Sequence, residues 1–155
     1  MRLPDLLAPA NVAAGLRVSG KAALLEALAR RAGDAFDLDA AAILAALRRR
    51  EGLGSTGIGD GIALPHARLD AVARPLGLLA RLRGPIAFDA VDERPVDLAF
   101  LLLLPAAAPD EALNAIASVA RRLRDPEAAE ALRRARDAAG LYAAICGPEM
   151  AQPPA

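Results

Sequence analysis

Apolar residues along this chain fall into two kinds of spacing, and the order in which the two alternate predicts an α/β fold. Helical spacing comes first. Leu24, Leu25, Leu28 and Ala32 share one face of a helix predicted from Gly20 to Ala32, with Ser19 as its N-cap and Gly33 as its stop. Asp39 is positioned to cap a second helix, whose Ile43, Leu44 and Leu47 face inward and which ends at Arg50-Glu51. Further on, a helix from Asp110 to Leu123 places Leu113, Ile116, Ala117, Ala120 and Leu123 at helical spacing. Asp125-Pro126 and Asp137 each begin a further short helix, the last one carrying Leu141 and Ile145.

Between these helices the pattern changes. Ile62-Ala63-Leu64 is a short strand candidate ended by Pro65, so the residue after it, His66, lies just past a strand's carboxyl end, where open α/β sheets usually hold ligands. Leu76 to Leu82 and Ile86 to Phe88 read as two more strands joined across Arg83-Gly84-Pro85. Val96 to Leu104, apolar at every position but Asp97, lies between two prolines and suits a central strand covered on both faces. Helices on both sides of a block of strands imply a three-layer α/β/α sandwich with a mixed central sheet. Residues 1–147 are expected to form one domain, and 148–155, with three prolines, a disordered tail.

Composition narrows the function more by exclusion than by assertion. Hydrophobic residues make up 55% of the chain but aromatics only 3%, so Leu, Ile, Val and Ala must build the core. Nineteen basic and nineteen acidic residues cancel, leaving no global field to attract nucleic acid or an anionic membrane. Lys21 is the sole lysine among the basic residues, which reads as compositional bias rather than function. The run Arg48-Arg49-Arg50 reads as a helix terminus, where cations favour the carbonyl end of the dipole. One Cys and one His give no all-protein zinc site, and no metal is expected. Leu98 to Leu104 is too short to span a bilayer and the first residues carry no signal-peptide pattern, so no membrane insertion and a cytoplasmic location are expected.

The candidate chemistry gathers at the sole histidine, His66, which ends the run Gly52-Leu-Gly-Ser-Thr-Gly-Ile-Gly-Asp-Gly-Ile-Ala-Leu-Pro-His66. A neutral imidazole nitrogen can attack phosphorus to give a labile phosphoramidate, and near-neutral titration lets it serve as nucleophile and leaving group in one cycle. Pro65 fixes the backbone before it, and Gly57, Gly59 and Gly61 alternate in a way that lets the backbone turn around an anion. Arg50 and Arg68 could balance added charge, and Ser55 and Thr56 could donate hydrogen bonds. The loop lacks Gly-Lys-Ser/Thr and is no nucleotide P-loop. Taken singly, a histidine after a proline is more often a structural turn residue, and Arg50 and Arg68 are more often a helix terminus and a surface charge.

Glu51, six residues, then Ile58-Gly59-Asp60-Gly61-Ile62-Ala63-Leu64-Pro65-His66-Ala67 closely resembles the phosphorylation-site signature of the mannitol/fructose-type EIIA proteins of the bacterial phosphoenolpyruvate-dependent phosphotransferase system. Arg50-Glu51 with Gly54-Ser-Thr-Gly-Ile-Gly, Pro85-Ile-Ala-Phe-Asp-Ala-Val-Asp continued by Pro95-Val-Asp-Leu, and Val119-Ala-Arg-Arg-Leu are similar to the nitrogen-regulatory branch of that family. The resemblance runs from about Leu3 to Ile145, nearly the whole chain.

The resemblance implies that His66 is phosphorylated on Nε2 by an HPr-like histidine phosphocarrier, with Arg50 in the phosphate environment and no cofactor. It implies a phosphohistidine carrier and regulator whose phosphorylation state selects regulatory partners such as potassium transporters or sensor kinases. One departure stands out. Relatives commonly carry a second histidine at the start of the helix after the long central strand, but here the segment reads Pro109-Asp-Glu-Ala112-Leu-Asn114, with Ala112 at the matching position. A lost charge-assisted hydrogen bond to the phosphoryl group is worth roughly 1.5–3 kcal/mol, and Asn114 or Arg68 are the candidate substitutes. Two alternatives stay open: a sugar-specific EIIA feeding a separate fructose or mannitol EIIB, and an interaction module that is no longer phosphorylated.

Overall fold

The computed structural model of the chain describes residues 1–147, so the expected tail at 148–155 lies outside the described residues. Its sheet is built from β1 (Val12–Leu16), β2 (Gly57–Gly59), β3 (Ile62–Ala63), β4 (His66–Leu69), β5 (Leu76–Ile86) and β6 (Val96–Pro105). Around it lie α1 (Leu3–Leu6), α2 (Lys21–Phe36), α3 (Ala40–Gly52), α4 (Pro109–Arg124), α5 (Pro126–Arg134) and α6 (Ala138–Cys146). The long apolar strand β6 is the hub of the sheet. β6 pairs antiparallel with β5 on one side and parallel with β3 and β4 on the other, while β1 adds parallel to β5 and β2 antiparallel to β3. The sheet is therefore mixed.

Alternation along β6 explains why no polar period is visible there. Ala99, Leu101 and Leu103 pack with Leu25, Leu28 and Leu47 from α2 and α3, whereas Leu98, Phe100, Leu102 and Leu104 pack with Val119, Leu123 and Leu141 from α4 and α6. A strand covered on both faces has no solvent side to mark with polar residues. Helices thus cover both faces of the sheet, as expected for the sandwich.

The aspartate caps are where the sequence places them. Asp39, Asp125 and Asp137 each accept a backbone N–H of their helix's first turn, from Ala41, Glu127 and Gly140. Five expectations change. Gly20, not Ser19, is the N-cap of α2, and the helix continues through Gly33 to Phe36, turning off at Asp37 with φ 54°. Gly33 instead lets α3 approach, since a Cβ there would lie 3.0 Å from the Ala40 Cβ. The two strands expected on either side of Arg83-Gly84-Pro85 are one strand, β5, in which those three residues are exposed at a break in the β6 register. Proline is tolerated at such an irregularity because no ladder bond depends on its missing N–H.

The buried face of α4 is Ala112, Ala115, Val119 and Leu123, one position away from the expected stripe, and Leu113 is 56% exposed. Small residues let this helix approach the sheet closely and leave its larger apolar side chains along its flank. Finally, the backbone does not leave the sheet at His66. β4 begins there and rejoins β6, with His66 opposite Leu102, so β3 and β4 run along the same side of β6 and are interrupted at Leu64-Pro65.

Candidate functional site

His66 owes its orientation to that interruption. Its Nδ1 is 2.8 Å from the Leu64 carbonyl oxygen, two residues back in the break, and a carbonyl can only accept, so Nδ1 carries the proton. The Nε–H of Arg50 donates to Nε2 across 3.2 Å, and an arginine can only donate, so Nε2 presents a lone pair. The two contacts together select the neutral Nδ1–H tautomer. Burial, the largest influence, holds the pKa of His66 below its ordinary 6.5; the Leu64 carbonyl and Glu51 oppose this, and Arg50 and Arg68 reinforce it. Near neutral pH the ring is therefore an uncharged base with its free nitrogen at Nε2.

His66 lines a cavity of about 770 Å³ together with Arg49, Arg50, Leu53, Arg68 and Ile116. Three guanidinium groups thus border one half-buried imidazole. Arg50 sits in the last turn of α3, which delivers it beside the loop that follows, and its Nη1 donates to Gly54 O at 2.8 Å. The apolar part of the rim is Leu53, 86% exposed, and Ile116, which α4 extends from its flank. A basic pocket with an apolar rim around an uncharged nucleophile suits an incoming phosphoryl group carried by another macromolecule.

Of the residues read from the sequence, Arg50 and Arg68 are brought to His66, and Ser55, Thr56 and Asn114 are not. The Ser55 hydroxyl donates to Phe88 O at 3.1 Å and accepts from the Gly57 N–H at 3.0 Å, so its one proton is already used. Thr56 is 3% exposed and its hydroxyl donates to the Glu51 carboxylate, which also accepts the Thr56 N–H at 3.2 Å. Asn114 is exposed on α4 and outside the lining of the cavity. The alternating glycines do not wrap the histidine either. A Cβ on Gly57 would lie 2.8 Å from the Ala90 backbone, and Gly59 and Gly61 have φ of +101° and +79° at the β2–β3 turn, beside Asp92, Asp97 and Arg133. They serve a tight turn and a close packing contact.

Residues that sequence reading passed over complete the surroundings. Arg49 lies in the last turn of its helix, as the basic run predicts, and it also lines the cavity. Lys21 was set aside as compositional bias, yet its ammonium lies 2.8 Å from the Glu51 carboxylate and 4.7 Å above the Phe88 ring centroid. Its being the sole lysine in an arginine-rich chain was the available signal. Among the described residues no group of three or more His, Cys, Asp and Glu side chains could hold a metal ion, and no helix is long and apolar enough to cross a membrane.

Comparison with known proteins agrees with this geometry. The nitrogen regulatory protein of Bradyrhizobium diazoefficiens is 41% identical over 148 residues, 96% of this chain and 97% of that protein. The fructose-specific EIIA component of the phosphotransferase system of Haloferax volcanii is 43% identical over 108 residues, covering 70% of this chain and 69% of its own. Among solved structures, the nitrogen regulatory protein IIA-Ntr of Neisseria meningitidis superposes with a TM-score of 0.86 at 31% identity, covering 92% of this chain and 98% of that one. Residues 5–146, nearly all that is described, match the profile of one family throughout, and the chain belongs to that family, the EIIA 2 components of the phosphoenolpyruvate-dependent sugar phosphotransferase system.

Proposed function

We propose that this protein is a phosphohistidine carrier and regulator of the nitrogen-type phosphotransferase system, with His66 as its acceptor. The observation that carries this reading is the pair of contacts on the imidazole, Leu64 O at Nδ1 and Arg50 at Nε2, which leaves Nε2 unprotonated on a ring that lines a basic pocket. An HPr-like carrier presents its phosphorylated histidine to the rim formed by Leu53 and Ile116. The Nε2 lone pair attacks phosphorus and forms the new N–P bond. The donor's N–P bond breaks and its electron pair returns to the donor imidazole, while the proton on Nδ1 stays in place against Leu64 O. No metal is required: Arg50, with Arg49 and Arg68 around it, offsets the charge of the transferred group. Near-equal bond energies on the two sides keep the step reversible.

Transfer replaces an uncharged ring by a dianion among three arginines, and this cancels most of the positive charge of the pocket. Regulatory partners, such as potassium transporters or sensor kinases, would distinguish the two forms by that change. Several relatives named nitrogen regulatory protein support this branch. The sugar-specific reading draws support from the Haloferax volcanii relative, and transfer of label to a fructose- or mannitol-type EIIB would favour it. A bare interaction module would capture partners equally as wild type, His66→Ala and His66→Asp.

The direct test is incubation with phosphoenolpyruvate, enzyme I and the HPr-like carrier. Wild type is expected to gain acid-labile phosphate and His66→Ala none. Equal labelling of the two proteins contradicts the assignment.

A further inference from the structure

Arg50 and Glu51 are consecutive residues at the end of α3, and their side chains diverge. Arg50 reaches the Nε2 of His66 and the carbonyl of Gly54. Glu51 turns inward, with its side chain 7% exposed, and accepts the N–H and hydroxyl of Thr56. Two adjacent side chains thus grip the two ends of the Gly54–Thr56 stretch. Between those two grips the stretch is held by the Ser55 hydroxyl, which donates to the Phe88 carbonyl, and by the Thr56 carbonyl, which accepts the Leu64 N–H.

The buried carboxylate is compensated by one group, the ammonium of Lys21 at 2.8 Å. Three features mark that lysine as selected for this place. It is the only lysine among 19 basic residues. It stands at the first residue of α2, where the helix dipole disfavours a cation. It also lies over the Phe88 ring at 4.7 Å, a position that suits a compact ammonium on a flexible stem. Phe88 in turn supplies the carbonyl that holds Ser55.

We propose that the Lys21–Glu51 ion pair, outside the cavity at His66, positions Arg50 for phosphoryl transfer at His66. The chain of contacts runs from Lys21 to Glu51, to Thr56 and its loop, to the Gly54 carbonyl and so to the guanidinium. Neither Lys21 nor Glu51 lines the cavity at His66, so neither is a catalytic residue. This inference rests on the reading of His66 as the phosphoacceptor.

The test is a double-mutant cycle read by single-turnover labelling from the phosphorylated carrier. Lys21→Met and Glu51→Gln should each slow labelling about 3- to 10-fold, since the slowing is bounded by what the guanidinium itself contributes. Carrier concentration at half-maximal rate should stay unchanged, and Lys21→Arg should recover part of the loss. In an Arg50→Ala background Lys21→Met should add less than about twofold, because the group it positions is gone. Undiminished slowing in that background, or wild-type rates in both single variants, would overturn the proposal. A second readout does not depend on transfer. The ¹⁵N shift of the His66 Nε2 should move in Lys21→Met toward its value in Arg50→Ala, and an unmoved shift overturns the positioning role even if the phosphoacceptor reading fails on its own.

Discussion

Removal of the Arg50 guanidinium tests the site at its most specific contact. In the resting protein its Nε–H lies 3.2 Å from the Nε2 of His66, the atom that would accept phosphorus. The bond must be given up as the phosphoryl group arrives, and the guanidinium is then free to hydrogen-bond the transferred oxygens. Both bonds are charge-assisted because the guanidinium is ionised: the bond to the anionic oxygens lies at the upper end of the range for such bonds, about 2.5–3 kcal/mol, and the resting bond to uncharged imidazole at its lower end, about 1.5 kcal/mol. The difference, about 1–1.5 kcal/mol, is what Arg50→Ala should add to the barrier, a slowing of about 5- to 13-fold. Single-turnover labelling of the variant by the phosphorylated carrier measures it, with folding checked by urea denaturation. Transfer as fast as wild type, or faster because Nε2 is released, would refute the placing of Arg50 in the transition state.

Other consequences are open to simpler measurements. Because the folded pKa of His66 lies below the unfolded value of 6.5, the unfolded chain binds more protons as pH falls, so this group's contribution to stability is full above 6.5 and is lost as pH drops through that value toward the folded pKa. The labelling rate should follow the same neutral fraction, level above pH 6.5 and falling only below it; a ¹⁵N titration of His66 with its midpoint at or above 6.5 contradicts both. Leu53→Ser, at an 86% exposed rim position, should raise the carrier concentration needed for half-maximal labelling while changing stability by less than about 0.5 kcal/mol. Gly57→Ala should lose about 1–3 kcal/mol in urea unfolding, since its Cβ would press at 2.8 Å on the Ala90 backbone. If that variant instead keeps full stability but loses phosphorylation, the glycines cradle the anion after all.

The parts of the fold that were legible in the sequence are those whose signal is local. Asp39, Asp125 and Asp137 mark helix starts because a short carboxylate bonds its own backbone, and β6 announces itself by length and apolarity. Strands β1 and β4 were not legible, because each is five residues or fewer and takes its conformation from a partner strand distant in sequence, and β2 was not, because three residues with two glycines carry no strand signal of their own. Val-Ala-Ala-Gly-Leu has little preference of its own until β5 pairs with it. At the site, His66 and Arg50 could be read from the motif, since their spacing reflects a helix end and a strand edge that meet. The roles of Ser55 and Thr56 could not, because a hydroxyl's partner depends on Phe88 and Glu51, whose approach is tertiary. Lys21 illustrates the same limit, for only the packing of α2 against α3 brings it to Glu51.

The central claim is that the Nε2 of His66, freed by the hydrogen bond that fixes the proton on Nδ1, receives the phosphoryl group. Phosphorus–nitrogen correlation spectroscopy on ¹⁵N-labelled protein, phosphorylated through the carrier, identifies the bonded nitrogen directly. The account predicts a ³¹P coupling to Nε2 of His66, with Nδ1 still protonated against the Leu64 carbonyl. A phosphoryl group on Nδ1, or labelled protein with no phosphorus on His66 at all, would contradict it.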